Sequence, residues 1–243
     1  MHELQARYKE DIAELARTAV RLGELGFVTS HGGNLSCRAD REVILITPTK
    51  VPKRELTFDD IVILNLEGET LFAANGRKPT GETPIHLNIL RKRPDVKGLI
   101  HAHPPILTGF SLVEEEILSE PFLPEPIIEL GPVIYVRYEE PLSRKLAEAF
   151  DGVIDGSNAF LMRNHGVMIC SPEGCSRSLD LLEMLEAMAH SVQVAAGLGK
   201  LNTIAPDEIK KLERTIRTRE LPMPGKPGVL QDLRDAYPSG NRS

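Results

Sequence analysis

The sequence contains no apolar run approaching the ~20 residues that a membrane span requires, and no block of like charge long enough to act as an interaction tail. Lysine and arginine number 29 against 35 aspartates and glutamates, a formal charge of −6. Nucleic-acid binding through phosphate neutralisation is therefore not expected. Cysteine is scarce: Cys37, Cys170 and Cys175 are an odd number, at spacings that fit neither a zinc finger nor a CxxC pair. The opening residues Met1-His2-Glu3-Leu4-Gln5 lack the basic-then-apolar order of a signal peptide. The expectation is a soluble, cytoplasmic protein with reduced thiols and no membrane partner. Common nucleotide and hydrolase signatures are missing too. Gly197-Leu198-Gly199-Lys200 runs into Leu201 where a phosphate loop needs Ser or Thr, no GxGxxG follows a strand, and neither GxSxG nor HExxH occurs.

What is present has the make-up of an ordinary globular chain, 41% hydrophobic over 243 residues. Without an internal repeat or a linker, one α/β domain over residues 1–220 is the simplest account. A C-terminal arm, 221–243, carries Pro222, Pro224, Pro227 and Pro238 and is expected to be extended. The stripe Leu4, Tyr8, Ile12, Leu15, Ala19, Leu22 predicts one N-terminal helix that stops at Gly23 or Gly26. Short strands are expected at 34–37, 42–46, 61–65, 97–103, 133–138, 159–162 and 167–170. Helices are expected from Thr80 to about Arg93, over 106–113 and 142–150, and on the stripe Leu181, Leu185, Met188, Val192, Ala195. The proline-rich stretch 114–132 has no clear pattern.

Histidine carries the chemical signal. His101-Ala102-His103 closes an apolar strand, and period-2 alternation sends both imidazoles from one face. That separation suits two ligands of one divalent ion, or two partly buried histidines bonded to neighbours. His165, in the turn Arg163-Asn164-His165-Gly166, is a third candidate ligand, or a turn residue tolerating a left-handed conformation. Glu82, beside Gly81 and Pro84 at a helix start, is a candidate ligand or general base, or an acid complementing the helix dipole. His86, four residues on, can share its face and is read as structural. His2 and His190 read as surface or packing residues. Gly32-Gly33-Asn34 and Thr47-Pro48-Thr49-Lys50 are tight turns that can also present N–H groups and hydroxyls to an anion. Thr80-Gly81, at a helix N-terminus, is the better anion site.

Taken in order, Gly33-Asn34-Leu35-Ser36, Ile46-Thr47-Pro48-Thr49, Lys78-Pro79-Thr80-Gly81-Glu82, His101-Ala102-His103 and Asn164-His165-Gly166 resemble the class II aldolase/adducin family across residues 30–170. The resemblance implies a single three-layer α/β/α domain around a mainly antiparallel central sheet. It implies one divalent metal per chain, zinc in most members and Mn2+ or Co2+ in others, held by His101, His103 and His165. Glu82 would ligate the resting metal and then serve as base. Substrate phosphate would be held by Asn34, Thr49, Lys50, Thr80 and Gly81. Members are commonly homotetramers with sites at subunit interfaces, and the arm with Tyr237 is the place to look for a contribution to a neighbouring site. This chain departs from the family pattern in reading Thr80-Gly81 for Ser-Ser, Lys50 for Gly, and no tyrosine acid between Phe122 and Glu129. Glu125 or Glu129 would take the acid's place.

The leading expectation is a lyase that cleaves a phosphorylated ketose, through an enediolate, to dihydroxyacetone phosphate and an aldehyde. The alternatives use the same intermediate: decarboxylation of a phosphorylated 3-oxo acid, dehydration of a thioribulose phosphate, or 4-epimerisation. Lys50 favours a substrate with an extra negative charge. An adducin-like binding module without the metal is the remaining alternative, against which the set Glu82, His101, His103 and His165 argues.

Overall fold

The computed structural model describes residues 1–237. Its N-terminal stripe forms two helices, α1 (Glu3–Arg7) and α2 (Lys9–Glu24), split at Tyr8, whose φ of −108° leaves the helical range. Apolar periodicity runs through the break because Tyr8, Ile12 and Leu15 share one core. Strands β1 (Asn34–Arg38), β2 (Val43–Ile46), β3 (Val62–Asn65) and β4 (Thr70–Phe72) follow. β4 was not expected, because its three residues are too few for alternation to register. Next come α3 (Thr83–Lys92), β5 (Gly98–Ala102), α4 (Pro105–Ser111) and α5 (Pro124–Glu129). β6 (Ile134–Val136), α6 (Arg144–Glu148), β7 (Ala159–Met162), β8 (Gly166–Ser171) and α7 (Cys175–Leu198) complete the sheet and its cover. α3 begins at Thr83, with Glu82 as its N-cap residue, rather than at Thr80.

The eight strands form one sheet in the order β4-β3-β2-β1-β5-β8-β7-β6. Every pairing is antiparallel except β6 with β7. Both faces are covered, so the strands are apolar on both sides. Leu45, Ile100, Val167 and Ile169 pack toward α2 and α7. Their neighbours Ile44, Ile46, Leu99 and Met168 pack toward α3 and α6. This is the three-layer α/β/α domain expected, and among the described residues no helix is long and apolar enough to cross a membrane.

The C-terminal region differs from the extended arm expected over 221–243, since its described part packs on its own chain. α8 (Pro206–Thr218) was missed because its apolar stripe is narrow, Ile209 and Ile216 being its buried residues. The start signals were nonetheless there: Pro206 in the first turn, followed by Asp207 and Glu208. Beyond it the chain folds back, with the Lys226 amide donating to the Asp155 carbonyl at 2.9 Å. Leu233 and Tyr237 join a small core with Ile127, Ile209 and Ile216. The rest of the expected arm, 238–243, lies outside the described residues.

Among the described glycines, Gly98 in β5 has the least room for a side chain: a Cβ would come within 2.2 Å of the Gly174 carbonyl carbon, just before α7. Backbone on both sides leaves no flexible atom to yield. Gly98→Ala is expected to cost at least about 1–3 kcal/mol of stability, read as a lower denaturant midpoint; an unchanged midpoint would show that α7 can slide on the sheet.

Candidate functional site

The centre of the sheet assembles the site. β1 and β5 pair so that Asn34 stands across from His101, and Ser36 lies across from Leu99. With period-2 alternation these side chains leave the α3 face. On α3, Glu82 and His86 are one turn apart, so they descend on the same spot. His103 follows β5, and His165 is carried in by the β7–β8 turn, where Asn164 takes the left-handed conformation at φ +55°. That conformation, tolerated by His165 on the turn reading, falls on Asn164, whose side chain suits it.

The three imidazoles converge: one ligand nitrogen from each of His101, His103 and His165 lies within 4.8 Å of the others. The Nε2 atoms of His103 and His101 are 3.0 Å apart. Glu82 Oε2 is 3.3 Å from His101 Nε2, and its Oε1 is 3.5 Å from His165 Nε2. Glycines allow this crowding. A Cβ on Gly166 would stand 2.5 Å from His103 Cδ2, and one on Gly32 would stand 3.2 Å from His103 Nδ1. Behind His103, Glu186 of α7 accepts the Ile106 and Leu107 amides, both at 2.9 Å, and so caps α4 two residues past Pro104.

Hydrogen bonds fix protonation states. His101 is 1% exposed, and its Nδ1 lies 3.0 Å from the Val167 carbonyl. A carbonyl only accepts, so Nδ1 carries the proton and Nε2 presents its lone pair to the cluster. Burial, then the charges of His103 and His165, push the His101 pKa down. His103 and His165 are lowered by burial first as well. Neutral imidazoles and a carboxylate thus face one another, and among the described residues no Lys or Arg pairs with Glu82. His165 Nδ1 is buried without a partner. Such a gathering of lone pairs is favourable around a cation, and three nitrogens with one oxygen suit a zinc-type divalent ion.

Glu82 is itself held from behind. Asn34 Nδ2 donates to Glu82 Oε2 at 2.7 Å, which leaves Asn34 Oδ1 as the acceptor for His86 Nε2. His86 Nδ1 then accepts from the Ser36 hydroxyl at 2.7 Å. Burial lowers the His86 pKa to about 4, so the ring in the relay Ser36–His86–Asn34–Glu82 is neutral and its Nδ1 takes the acceptor role. The structural reading of His86 thus gains a purpose, the orientation of the carboxylate. Asn34, expected among the phosphate ligands, has its amide turned to Glu82, with one Nδ2 proton to spare.

The other candidate anion ligands gather beside this relay. The Thr80 amide donates to the Thr47 carbonyl at 3.1 Å, and the Thr49 amide to the Lys78 carbonyl at 3.0 Å. Lys50 is exposed and left-handed at φ +59°, a conformation that glycine adopts without strain. The Thr80 hydroxyl accepts from the Glu82 amide at 3.3 Å, and Gly81 packs under Leu142. The acid candidates are elsewhere. Glu125 is exposed on α5, and Glu129 pairs with Arg177 at 2.7 Å. Tyr237 is 7% exposed in its own chain's small core, and burial raises its pKa. It is therefore a packing residue here, not one free to reach a neighbouring site. His2 stacks on Phe72, and His190 is exposed on α7. Composition gave no sign of Ser36 or Glu186, since each acts through a partner distant in sequence.

Because His86 is neutral when folded and titrates near the ordinary value of about 6.5 when unfolded, acid favours the unfolded chain. Stability is lost as pH falls from about 6.5 toward 4, by roughly 3 kcal/mol for this residue. His86→Gln should make the pH dependence of the denaturant midpoint shallower by up to one proton in that window. An identical slope would place the penalty on other groups.

The sequence profile described as Class II Aldolase and Adducin N-terminal domain matches residues 13–192. A 3-oxo-tetronate 4-phosphate decarboxylase of Haemophilus influenzae is 31% identical over 208 residues, 84% of this chain and 95% of that protein. An L-fuculose phosphate aldolase of Methanocaldococcus jannaschii is 33% identical over 74% of this chain and 93% of that protein. Among solved structures, YgbL from Klebsiella pneumoniae superposes with a TM-score of 0.78 at 26% identity, covering 84% of this chain and 98% of that one. With its histidine trio, Glu82 and eight-stranded sheet in place, the chain belongs to the class II aldolase/adducin family, which is metal-dependent and includes lyases such as the aldolases and decarboxylases it is similar to.

Proposed function

We propose that the protein decarboxylates a phosphorylated 3-oxo acid, with Glu82 delivering a proton to the carbon that loses carbon dioxide. The observation that carries this reading is that, among the described residues, Glu82 is the one carboxylic acid at the histidine cluster. Of the four tyrosines in the chain, none hydrogen-bonds to the cluster. Tyr8 and Tyr135 are buried in the main core, Tyr237 in the small one, and Tyr138 is exposed.

The distinction is one of proton counting. Aldol cleavage needs a group to take the proton from the hydroxyl that becomes the aldehyde, and a second event to protonate the enediolate carbon. Decarboxylation needs only the second. The bond to the carboxylate breaks, its electron pair passes toward the neighbouring carbonyl as an enediolate, and carbon dioxide leaves without a proton. Glu82, recharged from solvent, protonates the carbon, so one proton is consumed per turnover. Asn34 and the His86 relay hold its carboxyl in line, and Glu82 itself is only 6% exposed. His101, His103 and His165, with Glu82 in the resting state, would hold a divalent ion, zinc by the donor set, which supplies Lewis-acid stabilisation of the developing oxyanion.

Thr49, Lys50, Thr80 and Gly81, with the spare Asn34 proton, anchor the phosphate and orient the chain of carbons. Lys50 suits a substrate that carries a carboxylate besides its phosphate. Aldol cleavage of a phosphorylated ketose is the second reading, favoured by the 33% identity to the Methanocaldococcus jannaschii aldolase. In that case Glu125, exposed on α5, is the acid offered to a neighbouring subunit. The same reading has the protein as a cytoplasmic homotetramer.

Product analysis of the metal-loaded enzyme separates the two readings: carbon dioxide and a phosphorylated ketone from a 3-oxo acid phosphate support the first, and an aldehyde from a ketose phosphate the second. Glu82→Gln should lower kcat by about 10²–10⁴-fold while elemental analysis still finds the ion. His101→Ala should lose it. A Gln variant with full turnover would remove Glu82 from the reaction.

A further inference from the structure

Away from the histidines, Lys53 is placed against the ordinary rules of burial. It opens the 3-10 turn Lys53–Glu55 and is only 2% exposed. Its Nζ reaches two backbone carbonyls, those of His31 at 3.5 Å and Val51 at 3.4 Å, both long for a hydrogen bond. Among the described residues no carboxylate pairs with it, and burial alone lowers its pKa to about 8. A buried ammonium without an anion is costly, and an apolar side chain of similar length would fill the same space more cheaply. The charge therefore has a use outside folding.

Its two contacts point to that use. The His31 carbonyl belongs to the loop Thr29–Gly33, which packs Gly32 on the His103 ring and Gly33 on the His101 carbonyl. The Val51 carbonyl ends the turn that carries Thr49 and Lys50. The ammonium thus sits behind both segments that flank the anion end of the cleft. Neither peptide has a free N–H group to offer, since Pro52 follows Val51 and the Gly32 amide donates to the Thr29 carbonyl at 2.8 Å, so the charge acts through the placement of the two segments and through space.

We propose that Lys53 is a positioning and specificity-determining residue: its buried charge ties the 29–33 loop to the 47–51 turn and gives the two segments a positive potential that a phosphate monoester dianion completes. The inference rests on the reading that the substrate is phosphorylated. Lys50, which is exposed, meets the anion from the solvent side. Lys53 does not touch it, acting through the backbone it holds and through space across low-dielectric protein. A monoanion would gain about half as much from that field, so the arrangement favours phosphate over carboxylate at this end.

The test compares the full-length, metal-loaded protein with Lys53→Met, which keeps the length and removes the charge. Inorganic phosphate is the probe in thermal melts, and kinetics use the phosphorylated substrate that product analysis selects. The inference expects Lys53→Met to melt, without ligand, at or above the wild-type temperature, because an uncompensated charge has gone. It expects the phosphate-induced rise in Tm to vanish and KM to rise about tenfold with kcat nearly kept. A variant that melts lower and loses kcat and KM together would make Lys53 a structural tie and overturn the proposal. A variant with the wild-type phosphate shift and KM would overturn it while leaving phosphate anchoring intact. No phosphate shift in the wild-type protein, joined to turnover of unphosphorylated substrates, would overturn both.

Discussion

Across the middle of the sheet, β1 runs antiparallel to β5 with Asn34 opposite His101. That single register brings a metal-type ligand, the amide that orients the acid, and, two residues along, the Ser36 hydroxyl onto one face. A slip of one residue would send all of them to the α2 and α7 side, where Leu35, Ile100 and Ala102 now pack. The apolar residues between the polar ones therefore guard the chemistry: they make any other register bury amides and imidazoles in hydrocarbon. The geometry of the candidate site and the packing of the core are the same constraint seen from the two faces of the sheet.

The relay from Ser36 to Glu82 also shows how the protein holds a carboxylate among unprotonated nitrogens. With His86 neutral, every polar group in it has one donor or acceptor role, beginning from the carboxylate of Glu82. Buried networks of this kind are stabilising only when each member is satisfied. The remaining excess of lone pairs is concentrated at the cluster itself, where a cation and a substrate are to be accommodated.

Much of this was legible in the sequence because it is local. His101 and His103 are two residues apart on a strand, Glu82 and His86 four apart on a helix, and the turn 163–166 announces itself by Asn164 and Gly166. The strands could be read from short apolar runs, whereas the layer arrangement was implied by the family resemblance. What escaped was long-range or short in extent. Asn34 was legible as a polar residue at a turn, yet its duty toward Glu82 depends on a contact 48 residues away. α8 was hidden by its narrow stripe, β4 by its brevity, and the fate of Tyr237 by a core built from α5 and α8. Nothing in the residues around Lys53 marks its burial under a loop that begins 24 residues earlier.

Glu186 gives the longest helix a part in the cleft. By capping α4, this residue joins α7 to the chain immediately after His103. Opening of α7 in that region would free the α4 amides and loosen His103 in the same event. By linkage, whatever binds through His103 in the closed state must also hold α7 shut. Occupancy of the cleft would therefore be felt as slower amide exchange in a helix that touches neither ion nor substrate, so that a binding event on one side of the sheet is written into the mobility of the other.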